Sequence, residues 1–129
     1  MRLPVDALAL VLAWGCAGSV AATSPGAGFR VQETSVAQIH AGFRDGTLSC
    51  RDLVSAYLAR IDAYDKKGPA INSLIVVHPD ALKTADSLDT RFGREGLTGP
   101  LHCVPMIVKD NFETRDLPTT DGSLAFAGF

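Results

Sequence analysis

Two short apolar runs constrain the fold of this chain most strongly. Residues 73–78 read SLIVVH and residues 104–108 read VPMIV. Continuous runs of this kind are typical of strands covered on both faces, as in parallel sheets. Helical patterns alternate with them, which indicates an α/β protein. Two strands do not complete such a sheet, so we expect the chain to hold only part of a domain.

Three segments carry helical periodicity between residues that start and stop helices: 35–46, 49–68 and 79–93. The first two open with a serine that is followed three residues later by Gln or Asp, a capping-box arrangement. The third opens with a proline, which is favoured in the first helical turn. Each segment ends on a glycine, a common helix terminator. Their apolar stripes are interpreted as core and not as a cofactor site.

The first 22 residues are typical of a signal peptide. Residues 7–20 carry no charge and are fewer than the ~20 residues that a membrane-spanning helix needs. Ser19 and Ala21 fit the small-x-small pattern that precedes a signal-peptidase site. We therefore predict cleavage after Ala21 or Ala22 and export to the periplasm or the extracellular space, without stable membrane insertion.

Two alternatives stay open for this segment. It could form a buried N-terminal helix in place of a cleaved signal. It could also carry a lipid on Cys16, but this fits less well because the bulky Trp14 stands where a small residue is normal.

Charge and composition exclude several classes of protein. Apolar residues make up 47% of the 129 residues, which is too many for a disordered or low-complexity chain. The 12 basic and 14 acidic side chains give a net charge of -2. No long-range field would draw such a chain to nucleic acid or to an anionic membrane, so neither is an expected partner.

Cysteine and histidine usage gives no sign of a metal or a disulfide-built fold. Three cysteines are too few for a disulfide scaffold. Cleavage of the signal peptide would leave Cys50 and Cys103, which can pair in an oxidising compartment, although the sequence does not fix their distance. His40, His78 and His102 lack the short paired spacing of zinc ligands, so we predict no metal. No P-loop or dinucleotide-binding glycine pattern is present in the sequence, so we predict no cofactor.

Lys109 is the candidate catalytic residue. It directly follows residues 104–108, and α/β proteins place active sites at the carboxyl ends of their strands. An apolar site favours the neutral amine form of a lysine side chain, and this form can act as a general base. On these residues alone, a solvated charge at the end of a strand is the stronger interpretation. The neighbouring Asp110 and Asn111 are expected to make turn hydrogen bonds.

The stretch around Lys109 resembles the first catalytic segment of the amidase signature family. Residues 99–111 read GPLHCVPMIVKDN, close to the family pattern GPLHGVPxxxKDN. Residues 116–123, DLPTTDGS, resemble the loop that follows it, and the helical segment 48–61 fits as well. The resemblance runs from about Val36 to the last residue. With the predicted signal peptide (1–22) and a linker rich in Pro, Gly and Ser (23–33), it leaves residues 34–129 as a truncated N-terminal part of an amidase domain.

The resemblance implies a mixed sheet covered by helices and a hydrolase of carboxylic amides that acts on non-peptide C–N bonds. The family uses a Ser–cis-Ser–Lys triad, in which Lys109 would accept a proton from a bridging serine that activates the nucleophilic serine. Both serines belong to a Gly/Ser-rich segment that this sequence lacks, so the chain alone is expected to be inactive. Ser123 matches the loop after the lysine and is no substitute. The implied partner is a small-molecule amide.

Cys103 departs from the family pattern, which usually has glycine at that position. A glycine there implies a close backbone approach or an unusual dihedral angle. We interpret Cys103 as a small buried residue, and a catalytic thiol is the weaker interpretation.

Two other functions stay open. The first is the glutamine-hydrolysing subunit that transamidates mischarged tRNA, which shares the fold and triad but works in the cytosol or an organelle, against the predicted signal peptide. The second is an inert, truncated secreted chain, favoured by the missing serines. The particular amide and the oligomeric state are left open.

Overall fold

The structure is a computed structural model and describes residues 29–128. The predicted signal peptide and residues 23–28 of the predicted linker lie outside the described residues. Three α-helices form, α1 (Val36–Arg44), α2 (Cys50–Arg60) and α3 (Ala81–Glu95). A π-helical turn (Ile61–Lys66) continues α2, and a 3-10 turn (Leu124–Phe126) lies near the C-terminus.

Both predicted capping boxes are confirmed. At α1, the backbone N–H of Gln38 donates to Ser35 Oγ at 3.3 Å, and Gln38 Oε1 accepts from the backbone N–H of Ser35 at 2.8 Å. At α2, the backbone N–H of Asp52 donates to Ser49 Oγ at 3.0 Å, and Asp52 Oδ2 accepts from the backbone N–H of Ser49 at 3.3 Å. Each box satisfies N–H groups that a helix leaves without intrahelical partners.

The π-helical turn is anchored to the segment that follows it. The carboxylate of Asp65 accepts hydrogen bonds from Ser73 N at 2.6 Å and from Ser73 Oγ at 2.7 Å. Gly68 allows the chain to turn back, because its φ is +51° and a Cβ there would lie 2.6 Å from the carbonyl oxygen of Ala63. Asp65 is buried, so its carboxylate is satisfied by protein donors instead of water.

The ends of the third helix differ from the prediction of 79–93. α3 begins at Ala81 behind the N-cap Asp80 and runs through Gly93 to Glu95. Gly96 is the residue that ends it, because its φ of 73° leaves the helical region. A single internal glycine weakens a helix by about 1 kcal/mol, which the packing of α3 outweighs.

The core lies where α1, α2 and α3 meet the turn before residue 104. α2 and α3 pack against each other, and Leu53 of α2 is fully buried at 0% exposure. The buried core residues are Ile39, Phe43, Leu48, Cys50, Leu53, Ala85 and Cys103. This core fixes the turn from which the chain leads to Lys109.

The two apolar runs are not strands among the residues that the structure describes. Residues 73–78 and 104–108 form no ladder, and they are largely exposed, with Ile75 at 71% and Ile107 at 81%. The expected burial on both faces is therefore not observed, because residues 29–128 supply no neighbouring strand to pair with these runs. The mixed sheet of the predicted α/β fold stays a prediction.

Candidate functional site

Lys109 lies at the end of the exposed run 104–108, and its side chain is exposed. Its carbonyl oxygen accepts a hydrogen bond from the backbone N–H of Phe112 at 3.0 Å, which closes a turn directly after the lysine. Within residues 29–128, Lys109 is therefore a solvent-exposed side chain.

Asp110 organises the loop that follows the lysine. Its carboxylate accepts hydrogen bonds from the backbone N–H of Thr120 at 2.9 Å, from the backbone N–H of Gly122 at 3.1 Å and from the Thr120 hydroxyl. Hydrogen bonding by Thr120, first through its hydroxyl and then through its N–H, lowers the pKa of Asp110. Asp110 was expected to make hydrogen bonds within a local turn, and its side-chain partners instead lie 10 and 12 residues further along the chain. The two segments that carry the resemblance are joined through it.

Ser123 has a structural role in this loop. Its Oγ accepts a hydrogen bond from the backbone N–H of Ala125 at 3.3 Å, so it caps the short 3-10 turn. Its own N–H donates to the carbonyl of Thr120 at 2.8 Å. These contacts fit the prediction that Ser123 is no substitute for a triad serine.

His102 fixes the chain ahead of Lys109, a role that its sequence context did not reveal. The ring is buried, lies edge-on to Phe43 with ring centroids 6.1 Å apart, and has Nδ1 2.9 Å from Thr98 Oγ1. The Nε2–H of His40 donates to the backbone carbonyl of His102 at 3.1 Å. Burial, followed by the neighbouring His40, lowers the pKa of His102 and favours the neutral imidazole. His102 therefore packs in the core and holds the chain ahead of Lys109 in position.

Cys103 follows in an unusual conformation and is bonded to Cys50. Its φ is 56°, in the left-handed region that favours glycine. The two cysteines form a disulfide with Cα atoms 5.7 Å apart. The expected unusual dihedral angle at this position is confirmed, and a paired sulfur is not available as a nucleophile.

The described residues contain neither a metal-binding group nor a membrane-spanning helix. No three His, Cys, Asp or Glu side chains among residues 29–128 come together as a metal ion would require. Within the same residues, no helix has the length and apolar character to cross a bilayer.

The comparisons with known proteins identify the family. The amidase family model matches residues 52–129, and the chain therefore belongs to the amidase family. The resemblance inferred from the sequence is confirmed.

Individual relatives and solved structures agree with this assignment. A glutamyl-tRNA(Gln) amidotransferase subunit of Alkalilimnicola ehrlichii is 40% identical over 100 residues, which cover 77% of this chain and 20% of that protein. The native peptide amidase of Stenotrophomonas maltophilia superposes with a TM-score of 0.73 and 42% identity, over 76% of this chain and 20% of that one. An amidase family protein of Bacillus anthracis gives a TM-score of 0.71 and 32% identity, over 77% and 20%.

The chain spans about a fifth of the length of these relatives. The described part thus has the fold of the corresponding part of an amidase, and Lys109 and Asp110 lie within the stretch that the family model matches.

Proposed function

We propose that this chain is the part of an exported amide-bond hydrolase that carries the catalytic lysine, Lys109. The observation that carries the proposal is the match of residues 99–111 to the lysine segment of the family, within the stretch 52–129 that the family model covers. The hydrogen-bonded turn that directly follows Lys109 supports it, because a catalytic base needs a defined position.

In the proposed reaction, the neutral amine of Lys109 takes a proton from a bridging serine hydroxyl. That serine takes the proton of a second serine, whose oxygen attacks the amide carbonyl carbon. The C–N bond breaks, the nitrogen leaves with a proton as ammonia or an amine, and the acyl group stays on the second serine. Water then attacks the acyl-enzyme, which releases the carboxylic acid and restores the serine. Both serines lie outside this sequence, so residues 1–129 alone are expected to be inactive.

The substrate is proposed to be a small-molecule amide, and peptide-derived amides are the first class to test. The 42% identity to a peptide amidase supports this choice. No cofactor takes part in the proposed reaction.

A second candidate is the glutamine-hydrolysing component of a tRNA-dependent amidotransferase. The 40% identity to a glutamyl-tRNA(Gln) amidotransferase subunit favours it. The predicted signal peptide argues against it, because an exported chain would not meet tRNA. An inert secreted chain is the third candidate.

The test uses the full-length protein and the variants Lys109→Ala and Lys109→Arg. Both are expected to lose amide hydrolysis, by at least ~10²–10⁴-fold in kcat/KM, because arginine keeps its charge but does not give up its proton. Lys83→Arg, at an exposed position of α3, is the matched control and should leave kcat/KM unchanged. Circular dichroism checks the fold of each variant.

A folded Lys109→Arg variant within a few-fold of wild type would show that Lys109 is only a surface charge. Hydrolysis of free glutamine in preference to other amides would instead favour the amidotransferase component. Absence of hydrolysis from the wild-type protein on every amide tried would favour the inert chain.

A further inference from the structure

The disulfide between Cys50 and Cys103 joins two distant parts of the chain. Cys50 is the first residue of α2, and Cys103 lies six positions before Lys109, with a sequence separation of 53 between the cysteines. Both side chains are buried, at 1% and 7% exposure. The bond lies inside the core. It attaches the segment leading to Lys109 covalently to the beginning of α2.

The backbone at Cys103 is unfavourable for any residue with a side chain. Its φ of 56° lies in the left-handed region, where a Cβ crowds the following carbonyl oxygen. Glycine would adopt this conformation without that cost. A cysteine at this position therefore requires a compensating interaction.

The noncovalent contacts that hold this turn centre on His102, which also meets the rings of Phe43 and Phe92. His40 Nε2 donates to the carbonyl of His102, and His102 Nε2 lies 3.8 Å from the sulfur of Cys50. After Cys103 the chain becomes exposed, with Ile107 at 81% and Val108 at 48%. The covalent bond is thus the strongest attachment that the described residues offer to the segment 99–108.

We propose that the Cys50–Cys103 disulfide is an oxidation-dependent tether that offsets the unfavourable backbone of Cys103 and keeps the segment leading to Lys109 docked on α2. In an oxidising compartment the tether is closed, and under reducing conditions it opens and releases the segment. The proposal does not depend on amide hydrolysis, because the tether acts on residues that are all present in this chain.

Closing the tether is a two-electron oxidation. One thiolate attacks the disulfide of an oxidant, such as a thiol–disulfide oxidoreductase or oxidised glutathione, and forms a mixed disulfide. The second thiolate displaces the oxidant's remaining sulfur and forms the Cys50–Cys103 bond. The two cysteines lose two protons and two electrons, and the oxidant leaves as its reduced thiols. A dithiol reductant reverses both steps.

The first test locates the bond in the full chain exported to an oxidising compartment. Free thiols are alkylated under denaturing conditions before any reduction, and the digested protein is mapped by mass spectrometry. The expected result is a linked pair of peptides that contain Cys50 and Cys103. Alkylation of both cysteines before reduction would overturn the proposal.

The second test measures hydrogen exchange of residues 97–108 in the same chain with and without dithiothreitol. Reduction is expected to raise exchange in this segment by on the order of tenfold or more, because it removes the constraint on a loop of this length. Exchange that is equal in the two states, including an absence of protection in both, would contradict the tether.

A pair of double variants distinguishes the effect of the disulfide from the effect of the unfavourable backbone conformation at position 103. Cys50→Ala with Cys103→Gly and Cys50→Ala with Cys103→Ala both lack the disulfide and differ only by a Cβ at position 103. The glycine variant is expected to protect residues 97–108 better than the alanine variant, and neither should respond to dithiothreitol. Equal protection in the two variants would show that the backbone of Cys103 needs no compensation.

Discussion

The carboxylate of Asp89, on α3, accepts a hydrogen bond from the backbone N–H of Cys50, the first residue of α2, at 2.7 Å. Its second oxygen accepts from the backbone N–H of Arg51 at 3.0 Å. A helix N-terminus carries partial positive charge and free N–H groups, so a carboxylate placed there is favourable. The N-terminus of α2 is thus capped by Ser49, which precedes it in the chain, and by Asp89 of α3, which joins the two helices at this point.

Replacing Asp89 with alanine is expected to weaken the first turn of α2 by about 1–3 kcal/mol, because two N–H groups lose their acceptor in a half-buried position. The measurement is hydrogen exchange of the amides of residues 50–53 in the full chain. Asp86→Ala is the control: Asp86 pairs with Arg51 on the same face of α3, but both side chains are about half exposed. An effect of Asp86→Ala as large as that of Asp89→Ala would show that the negative charge on α3, and not the two hydrogen bonds of Asp89, stabilises the first turn of α2.

The contact between Asp65 and Ser73 is expected to depend on pH. Hydrogen bonding by Ser73 lowers the pKa of Asp65 far below its ordinary value of 3.8, which burial partly opposes. The carboxylate therefore stabilises this turn at pH values above 3.8, and the stabilisation is lost as the pH falls towards the folded-state pKa. Hydrogen exchange of Ser73 and Leu74, corrected for intrinsic rates, should show protection that declines only in acid.

Asp65→Asn should reduce this protection at neutral pH and remove its dependence on acid. Asp62→Asn is the matched control in the same turn, since Asp62 pairs with Lys67 at the exposed surface. If Asp62→Asn abolished the acid dependence and Asp65→Asn did not, the assignment to Asp65 would be wrong.

Asp110→Asn is expected to loosen the loop after Lys109. The carboxylate accepts from three donors in Thr120 and Gly122, and an asparagine would turn its NH₂ group towards some of them. Faster hydrogen exchange at residues 120–122 is the expected result. Asp121→Asn, an exposed neighbour in the same loop, should leave exchange unchanged. Equal effects of the two variants would count against a special role for Asp110.

Export should remove the first 21 or 22 residues. The uncharged run 7–20 and the small residues Ser19 and Ala21 predict this cleavage. N-terminal sequencing of protein recovered from the periplasm or the medium should begin at Ala22 or Thr23. A mature protein that begins at Met1 would refute the prediction.

Local features of the fold were predictable from the sequence, because their partners are close together in the chain. The two capping boxes pair residues three positions apart, and both are present as expected. The end of α3 was misplaced, because Gly93 and Gly96 both fit a helix stop and only the backbone angle distinguishes them. The two apolar runs have the composition of strands, but a strand needs a neighbour that composition does not supply.

The candidate site was predictable only through motif similarity. Lys109 alone is typical of a surface charge. Only the similarity of residues 99–111 to the family motif predicts a catalytic role for it. The sequence left the pairing of Cys50 and Cys103 open, and it did not predict the burial of His102, because Cys50 and His40 lie 53 and 62 residues away from their partners. The spacing of residues along the sequence does not indicate contacts between residues so far apart.

The contrast between near and distant contacts around Lys109 has a consequence for the order of folding. The contacts of Asp110 with Thr120 and Gly122 close loops of 10 and 12 residues, which form on a timescale of about 10–100 ns. The contacts of His102 and Cys103 close loops of 62 and 53 residues, at a greater entropic cost. The turn after the lysine is therefore expected to form early, and the segment before it late, after the helices have assembled and an oxidant has acted. Lys109 lies at the boundary between these two stages, so its final position is set by the slower one.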